Sequence, residues 1–554
     1  MARPEGDCGH PESIVQLFGP SEGKPYHEYF IAKTPMSGRG RILPDVPGLF
    51  CLLGFTGLVF LGGGGRALQC ADTLWHIKAG TVMLAQGRIL TSDVFSHTAA
   101  GKAWMSHEWL AEVIMALLHQ TAGLPGVVVF YLLLAALTFW LLARIVRERT
   151  GDWLALMIVG VGALLASTHL LARPHLFSWL LGVVTLHLLL RGGRGLFLLP
   201  VLTAVWANLH GGFILGLFLQ GVFIAGGILD RYSLGGKGIR LRELYQEFRI
   251  PLLVFALSIL AVGINPNGYK VLAFFFHATT PAFSAGIGEW RSPNLQNLWY
   301  VRFYLVGMLF LLLLAPCRVP WRDRLLVVLL VNAALTHSRN VSIMALFLAP
   351  FLGDVLRAWG DRVPKIFGER PTETKQLELS GSSGPVMTLV LALVCLGVLA
   401  SGSSKTAWAA TELFKLPRQF SAPAVAYLQG NLPSGNLYNE YSLGGYLLYA
   451  VDPPPKVFID GRADMYGEEI FLDYKKISRL EEDPEGLMAQ YGIDWVVFTT
   501  RSPLVVYLKE TGRWRTVFED DEVTILVAKA GREPVDRTGV HRLSGPGSVD
   551  VLAN

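Results

Sequence analysis

About eleven apolar segments, all of them in the first four hundred residues, restrict the fold of this chain more than any other feature. Of its 554 residues, 52% are hydrophobic and only 16% are charged, whereas a soluble globular protein carries roughly 25% charged residues. A chain with so little charge needs a lipid bilayer to cover its apolar surface, and a helix of about 20 residues crosses one. The sequence therefore predicts a polytopic membrane protein.

Each predicted span is an apolar run bounded by polar residues. The runs lie near Pro47–Leu61, Pro125–Leu142, Trp153–Ala172, Leu176–Leu190, Leu196–Asn208, Phe213–Leu229, Pro251–Ile264, Phe303–Ala315, Leu325–Leu335, Val341–Leu356 and Val386–Ala400. No cleavable signal peptide precedes the first run, which is a candidate signal anchor. One more apolar run, Trp109–His119, is too short to cross, and we expect it to lie flat at the outer membrane interface.

Lys and Arg are concentrated in alternate loops, for example at Arg144, Arg147 and Arg149. Because cytoplasmic loops carry the excess of these residues, we predict a cytoplasmic N-terminus, an extracytoplasmic C-terminus and a location in the cytoplasmic (inner) membrane. The predicted regions are a cytoplasmic tail (1–45), a transmembrane domain (46–401) with a large first external loop (65–124), an external domain (402–530) and a flexible tail (531–554).

The composition changes from about residue 401 onward. Alternating apolar and polar residues predict strands, whereas longer-period runs predict helices. The predicted strands are Lys456–Asp460, Asp494–Thr499, Thr516–Phe518 and Val523–Val527, and the predicted helices include Ala422–Gly430 and Glu482–Tyr491. The predicted fold is thus an all-α membrane domain followed by a small α/β domain.

Several classes of protein are excluded by what the sequence contains. The five cysteines are far apart and form no CxxC pair, and the net charge is only +5, so neither a disulfide scaffold nor a nucleic-acid-binding protein is indicated. No glycine-rich phosphate loop follows a predicted strand, which argues against nucleotide binding. No ligand spacing identifies a metal site, although a divalent cation is left open.

Polar side chains are rare inside the predicted spans but abundant at their predicted outer ends. His187, Gln220 and Asn332 lie within spans, where hydrogen bonding between helices explains them. The outer ends carry carboxylates, imidazoles and guanidiniums at Asp72, His76, His107, Glu108, Arg173, His175, His210, Glu289, Arg291, His337 and Arg339. Such a gathering on loops from many spans predicts a functional site facing the outer leaflet.

Each of these residues also has a purely structural explanation. Asp72 would be a good helix N-cap, and Trp75 would suit the aromatic belt of a membrane protein. The arginines of the outer loops can snorkel or form ordinary ion pairs. In the external domain, Asp460 lies either at a ligand-binding strand end or in a simple Asp-Gly turn, and Trp495 lines an acceptor groove or packs the sheet.

The first external loop resembles that of GT-C glycosyltransferases, in their protein mannosyltransferase and aminoarabinose-transferase branches. The resemblance rests on Asp72-Thr73-Leu74-Trp75-His76, Gln86-Gly87-Arg88 and His107-Glu108-Trp109-Leu110. Two positions depart from the pattern, because Thr73 replaces a second acid and His107-Glu108 replaces a Pro-Pro pair. A set of bacterial membrane proteins with Arg-Pro-His, Asn-Leu-His-Gly-Gly and Ile-Asp-Gly-Arg segments is more similar still.

This resemblance implies an inverting transferase that moves a sugar from a polyprenyl-phosphate carrier to an acceptor hydroxyl of a lipid, glycan or protein. The phosphate is already a good leaving group, so one carboxylate suffices to deprotonate the acceptor. Asp72 is the candidate general base, and Glu108 could assist it, orient the acceptor or help hold a divalent ion. Arg173, His175, Arg291 and Arg339 are candidates for the phosphate, because arginine presents a fork of donors.

Two other functions compete with this one. A transporter or lipid flippase would show repeats or ionisable residues at the membrane midplane, and the sequence has no detectable pattern of that kind. A non-catalytic anchor for the external domain would not need about eleven spans. The glycosyltransferase is therefore the leading hypothesis.

Overall fold

The computed structural model describes residues 47–49, 52–55, 66–234, 241–277, 287–366, 389, 393, 416 and 419–529. By its contacts the chain divides into two units. The first consists of Met1–Asp93 with Lys102–Pro417, and the second consists of Val94–Gly101 with Arg418–Asn554. A short stretch of the predicted first external loop thus belongs to the second unit.

The first unit is mainly helical in its described ranges. Its helices are α1 (Asp72–Gln86), α2 (Trp109–Thr150), α3 (Asp152–Ala166), α4 (His175–Arg191), α5 (Leu199–Leu209), α6 (Phe213–Leu234), α7 (Leu241–Val262), α8 (Lys270–His277), α9 (Trp299–Leu313), α10 (Trp321–Thr336) and α11 (Asn340–Ile366). Short 3-10 helices occupy Ser167–His169, Gly193–Leu198 and Gly288–Trp290.

Five helices in the described part of the chain are long and apolar enough to cross a membrane. They are Trp109–Thr150, Asp152–His169, Phe213–Ser233, Leu241–Val262 and Asn340–Gly360, and the shorter apolar helices are His175–Arg191, Gly193–Leu209 and Trp299–Leu313. The protein is therefore a multi-pass membrane protein, as predicted. The count of eleven spans stays a prediction, because Pro47–Leu61 and Val386–Ala400 lie largely outside the described residues.

Helix α2 contains a break that divides two predicted segments. Gly123 has φ 66° and ψ −167°, which are not helical values, and glycine tolerates positive φ because it has no Cβ. Pro125 follows and lacks a backbone donor. Trp109–His119 and Pro125–Leu142 are both helical on either side of this break, while the placement of the first one flat on a membrane stays a prediction.

The core of the first unit forms around α2, which packs against α1, α3, α4 and α11. Tyr131 of α2 is fully buried, as is Trp179 of α4. Gly80 of α1 permits a close approach to α2, since a Cβ at this position would collide with the backbone carbonyl of Glu112. Between α6 and α7, Ser258 donates a hydrogen bond of 3.0 Å to Gln220, which is the interhelical role predicted for this amide.

The second unit is a small α/β structure with a four-stranded sheet. Its elements are α12 (Ala422–Gly430), β1 (Asn436–Asn439), α13 (Tyr441–Ala450), α14 (Ala463–Tyr466), α15 (Glu468–Arg479), α16 (Pro484–Gln490), β2 (Ile493–Thr499), α17 (Pro503–Glu510), β3 (Trp514–Glu519) and β4 (Val523–Ala528). The strand order is β1-β2-β4-β3, in which β1 and β2 are parallel and the other pairs are antiparallel. The predicted fold class is confirmed for both parts of the chain.

The predicted strand at Lys456–Asp460 is wrong. Only Val457 forms a bridge, and its partner is Ser96 from the loop segment Val94–Gly101. The next residues are bonded to a side chain instead of a strand, because Phe458 donates its backbone N–H to Asn439 (2.8 Å) and Asn439 donates to the carbonyl of Ile459 (2.8 Å). The side-chain amide of Asn439 thus forms the backbone hydrogen bonds that a neighbouring strand would otherwise form.

Asp460 and Arg462 form an ion pair in the interior of the second unit, where they are 0% and 1% exposed. Arg462 donates to one Asp460 oxygen through Nε (2.9 Å) and to the other through Nη2 (2.6 Å), and Tyr466 adds a third donor at 3.0 Å. The ring of Phe95 lies 4.9 Å from the guanidinium carbon. The carboxylate is enclosed and fully bonded, so its role is structural. Trp495 is likewise buried in the sheet.

We expect Asp460→Asn to destabilise the second unit by about 3–5 kcal/mol, because it leaves the buried Arg462 charge uncompensated. Limited proteolysis of the full chain in detergent measures this, since cleavage within residues 419–529 should become much faster. Asp521→Asn, at an exposed position, is the control and should leave cleavage unchanged. Equal cleavage rates for the two variants would contradict the structural role of the ion pair.

Candidate active site

Asp72 begins helix α1, and its carboxylate turns to other side chains instead of capping the helix. The N-cap residue is Ala71, which makes no side-chain capping hydrogen bond. One oxygen of Asp72 accepts a hydrogen bond from Nε1 of Trp75 (3.2 Å), and the other lies 3.0 Å from Nη2 of Arg173. The capping explanation for Asp72 is therefore wrong. Trp75 is buried, and its ring packs against that of His76 at a tilt of 32°, with ring centroids 3.6 Å apart.

Arg173 lies between two carboxylates. Besides Asp72, it contacts Glu289 through Nη1 at 3.1 Å, and Nδ1 of His169 lies 3.8 Å from the same Glu289 oxygen. The hydroxyl of Thr73 donates to the carbonyl of Ala172 (2.9 Å), which fixes the loop before α4 to the start of α1. We call Asp72, His169, Arg173 and Glu289 the Arg173 cluster.

The charges of the Arg173 cluster stabilise one another. Burial disfavours the charged form of Arg173, but Glu289 and Asp72 more than offset this and hold its pKa well above the usual value. Burial also raises the pKa of Glu289, yet Arg173 outweighs it and the pKa falls to about 2. Arg173 is thus a permanent cation that is already matched by two acids.

Arg339 lies beside the Arg173 cluster, and an aromatic ring contacts its side chain. Its guanidinium carbon is 3.9 Å from the ring centroid of Trp290, and its backbone N–H donates to the carbonyl of Glu289 (3.3 Å). Within the described ranges no carboxylate forms an ion pair with its side chain. A stacked guanidinium uses its face and keeps the N–H groups at its edge available.

The other predicted outer residues hold this region together. Nδ1 of His337 lies 2.6 Å from the carbonyl of Trp290, and the carbonyl of Arg291 accepts from the backbone of Ser338 at 2.8 Å. His175 has its Nε2 2.9 Å from the carbonyl of His169. For His337 and His175 these contacts support backbone positions near the cluster, while the Arg291 side chain is exposed.

A second group of ionisable side chains surrounds Glu108, just before α2. Three imidazoles approach its carboxylate, with Nε2 of His76 at 3.4 Å, His107 at 3.7 Å and His210 at 3.3 Å. Behind His76, the carboxylate of Glu112 lies 3.2 Å from Nδ1. We call His76, His107, Glu108, Glu112 and His210 the Glu108 cluster. Burial raises the pKa of Glu108 against the opposing effect of His107 and His76.

The tautomer of His210 follows from its contacts. The backbone N–H of Gly212 lies 2.9 Å from Nδ1, so this nitrogen is an acceptor. The hydroxyl of Ser178 lies 2.6 Å from the same nitrogen and itself accepts from Nε1 of Trp206 at 2.7 Å. The proton of the neutral ring is consequently on Nε2 and points at Glu108. Burial lowers the pKa of His210 well below its usual value, which favours this neutral form.

Sequence reasoning missed several members of the site. Glu112 was overlooked although it is a carboxylate within an otherwise apolar run, four residues after Glu108, and that position was a usable signal. His169 and Ser178 gave no comparable signal. Across the residues that the structure describes, no group of three or more His, Cys, Asp or Glu side chains has the arrangement of a metal site.

The sequence matches no protein-family model and no curated protein. Among solved structures, the oligosaccharyltransferase of Archaeoglobus fulgidus tethered to an acceptor peptide aligns with a TM-score of 0.49 at 11% identity, covering 88% of this chain and 74% of that one. The same enzyme with an inhibitory peptide and a dolichol-phosphate gives 0.47 at 11% identity, with the same coverages. ArnT from Cupriavidus metallidurans, bound to undecaprenyl phosphate, gives 0.45 at 13% identity over 87% and 98% of the two chains.

Proposed function

We propose that this protein is a membrane glycosyltransferase that moves a sugar from a polyprenyl-phosphate carrier to an acceptor hydroxyl at the outer face of the cytoplasmic membrane. The observation that carries the proposal is the carboxylate of Asp72 paired with Arg173, with a second arginine, Arg339, beside the same cluster. Arg173 contacts two acids directly, whereas Arg339 stacks on Trp290 and forms no ion pair with a carboxylate among the described residues. This is what a transfer from a phosphate leaving group needs.

In this reaction Asp72 is the general base. Its two oxygens have one contact each, with Trp75 and Arg173, and a carboxylate oxygen has a further lone pair for the acceptor hydroxyl. As the acceptor oxygen attacks the sugar at its anomeric carbon from the face opposite the phosphate, the configuration inverts. Trp75 and Arg173 fix the direction of the carboxylate, so that little reorganisation is needed at the moment of attack.

Arg339 is the principal group for the phosphate. A guanidinium binds phosphate through paired N–H donors, and the charge of Arg173 is already compensated by Asp72 and Glu289. Arg173 then contributes mainly by holding Asp72 in place. Arg339 is half-buried and forms no ion pair with a described carboxylate before the phosphate arrives. It therefore stabilises the released phosphate anion more than the bound diester.

The direct test is made with the purified full-length protein. Mass spectrometry of lipids that co-purify should detect a polyprenyl-phosphate hexose, and incubation of a polyprenyl-phosphate hexose with the protein and a cell-envelope extract as acceptor should release free polyprenyl phosphate. If the carrier is neither bound nor cleaved, while liposomes containing the protein take up or flip lipid, the chain is a transporter and the proposal is wrong.

A further inference from the structure

The Glu108 cluster contains a chain of three acidic and basic groups that the proposed base does not use. Glu112 is 1% exposed and His76 is 2% exposed, while Glu108 is 12% exposed. One Glu112 oxygen faces Nδ1 of His76 at 3.2 Å, and the other accepts the hydroxyl proton of Ser106 at 2.6 Å. The imidazole of His76 thus lies between the enclosed carboxylate of Glu112 and the more exposed carboxylate of Glu108.

The three side chains Glu112, His76 and Glu108 hold one proton fewer than their contacts can use when His76 is neutral. Two contacts between nitrogen and oxygen, at 3.2 Å and 3.4 Å, need two protons to become two hydrogen bonds. A neutral imidazole supplies only one. When His76 is neutral and directs that proton to Glu112, the ionised Glu108 faces the lone pair of Nε2. One added proton, on either Glu108 or Nε2 of His76, removes this repulsion. The group of three side chains therefore has a place for one more proton.

The surroundings of Glu108 favour uptake of a single proton. Nε2 of His210 lies 3.3 Å from one Glu108 oxygen, and Nε2 of His107 lies 3.7 Å from the same oxygen. Arg173 acts on Glu108 only at longer range, unlike its direct contact with Asp72. The carboxylate of Glu112 lies behind His76, 3.2 Å from its Nδ1.

The carboxylate of Asp72 takes part in an ion pair that a proton would break. Protonating it removes the charge that pairs with Arg173 at 3.0 Å. Asp72 and His76 are four residues apart on α1, so they lie on the same helical face with Cβ atoms about 5–6 Å apart. The acceptor group or one water molecule can span that distance.

We propose that Glu108, His76 and Glu112 form a proton relay that receives the acceptor proton from Asp72 after each sugar transfer; this inference rests on the proposed function. In the transfer step the acceptor oxygen bonds to the anomeric carbon, the carbon–oxygen bond to phosphate breaks with its electron pair on the phosphate, and the hydroxyl proton passes to Asp72. In the reset step that proton moves to the Glu108–His76 pair, and the Asp72–Arg173 ion pair forms again. Glu108, the most exposed member of the relay at 12%, then releases the proton to water, so that the relay is empty before the next transfer.

The relay makes a prediction that separates it from a purely structural contact between α1 and α2. His76→Gln keeps a polar side chain of similar size but cannot carry the proton. We expect its first turnover, measured with protein in excess over a polyprenyl-phosphate hexose, to retain the wild-type rate. With the carrier in excess, release of polyprenyl phosphate should show a burst of one equivalent followed by turnover slowed about 100-fold.

A second relay variant and a control variant complete this experiment. Glu112→Gln keeps a partner for Ser106 but removes the charge behind His76, and it should give the same burst with a smaller slowing. It also serves as the test if His76→Gln does not fold, as judged by thermal unfolding in detergent. His187→Gln, in α4 and outside both clusters, is the matched control and should turn over like the wild type.

Each result is decisive. A burst followed by slow turnover supports the relay, whereas unchanged steady-state turnover in both relay variants overturns it. Equal loss of the first and later turnovers also overturns it, because the residues would then serve the transfer step or the fold. If the wild type itself releases no polyprenyl phosphate, the proposed function has failed and the relay fails with it. An active wild type with an inactive Asp72→Asn variant limits any failure to the relay.

Discussion

Asp72→Asn should lower sugar transfer by about a thousandfold while leaving the protein folded and inserted, since a positioned general base contributes about 10² to 10⁴ in rate. Asparagine keeps the size of the side chain and one oxygen, which can accept from Arg173 or from Trp75, but it cannot take a proton. Arg173 still has Glu289 as a counter-ion at 3.1 Å, so the ion-pair network is weakened and not abolished. Release of polyprenyl phosphate from a polyprenyl-phosphate hexose measures the effect.

A matched control for this variant exists elsewhere in the chain. Asp152 pairs with Arg147 at 2.5 Å and is similarly half-buried, at the junction of α2 and α3. Asp152→Asn therefore removes an equivalent aspartate–arginine pair away from both clusters and should leave transfer at the wild-type rate. Transfer that survives unchanged in Asp72→Asn would show that another group is the base.

The second large effect is expected for Arg339→Gln. Losing a charge-assisted hydrogen bond costs about 1.5–3 kcal/mol, which corresponds to roughly 10- to 100-fold weaker binding of polyprenyl phosphate. Binding of the free carrier phosphate to the purified protein, followed by tryptophan fluorescence or by retention of labelled lipid, provides the measurement. The first-turnover rate should fall as well, because the released phosphate is less stabilised.

Arg324 offers the corresponding control for Arg339. Its guanidinium carbon lies 5.1 Å from the ring centroid of Trp321, so Arg324→Gln also removes an arginine stacked on tryptophan. This variant should bind polyprenyl phosphate with unchanged affinity. An equal loss of affinity in both variants would mean that net charge, and not a specific contact with Arg339, governs binding.

The helical membrane part and the α/β part were predictable because both depend on local patterns. Apolar runs marked the helices, and alternation marked β2, β3 and β4 within one or two residues. The strand at Lys456–Asp460 failed because its pattern matches a strand while its partner is the side chain of Asn439. Periodicity describes one segment and contains no information about which group satisfies its backbone.

The site was predictable as a set of residues but not as a set of contacts. Asp72, Glu108, Arg173, Glu289 and Arg339 were each recognisable from their positions at the ends of apolar runs. The pairing of Arg173 with Glu289 joins residues 116 positions apart, and no local signal specifies it. Nor does the sequence show that Arg173 contacts two acids whereas Arg339 stacks on Trp290, and the proposed roles of the two arginines rest on this difference.

The second unit includes Val94–Gly101, and this has a consequence for how the protein is made. His97 lies 2.8 Å from the carbonyl of Leu437, Thr98 donates to the carbonyl of Phe458 at 2.6 Å, and Val457 pairs with the backbone on this segment. A ribosome delivers residues 94–101 more than three hundred residues before these partners. Residues 94–101 therefore cannot form these contacts until the second unit has been synthesised. A secreted fragment starting at residue 418 would lack Ser96 and Phe95, the neighbours of Val457 and Arg462.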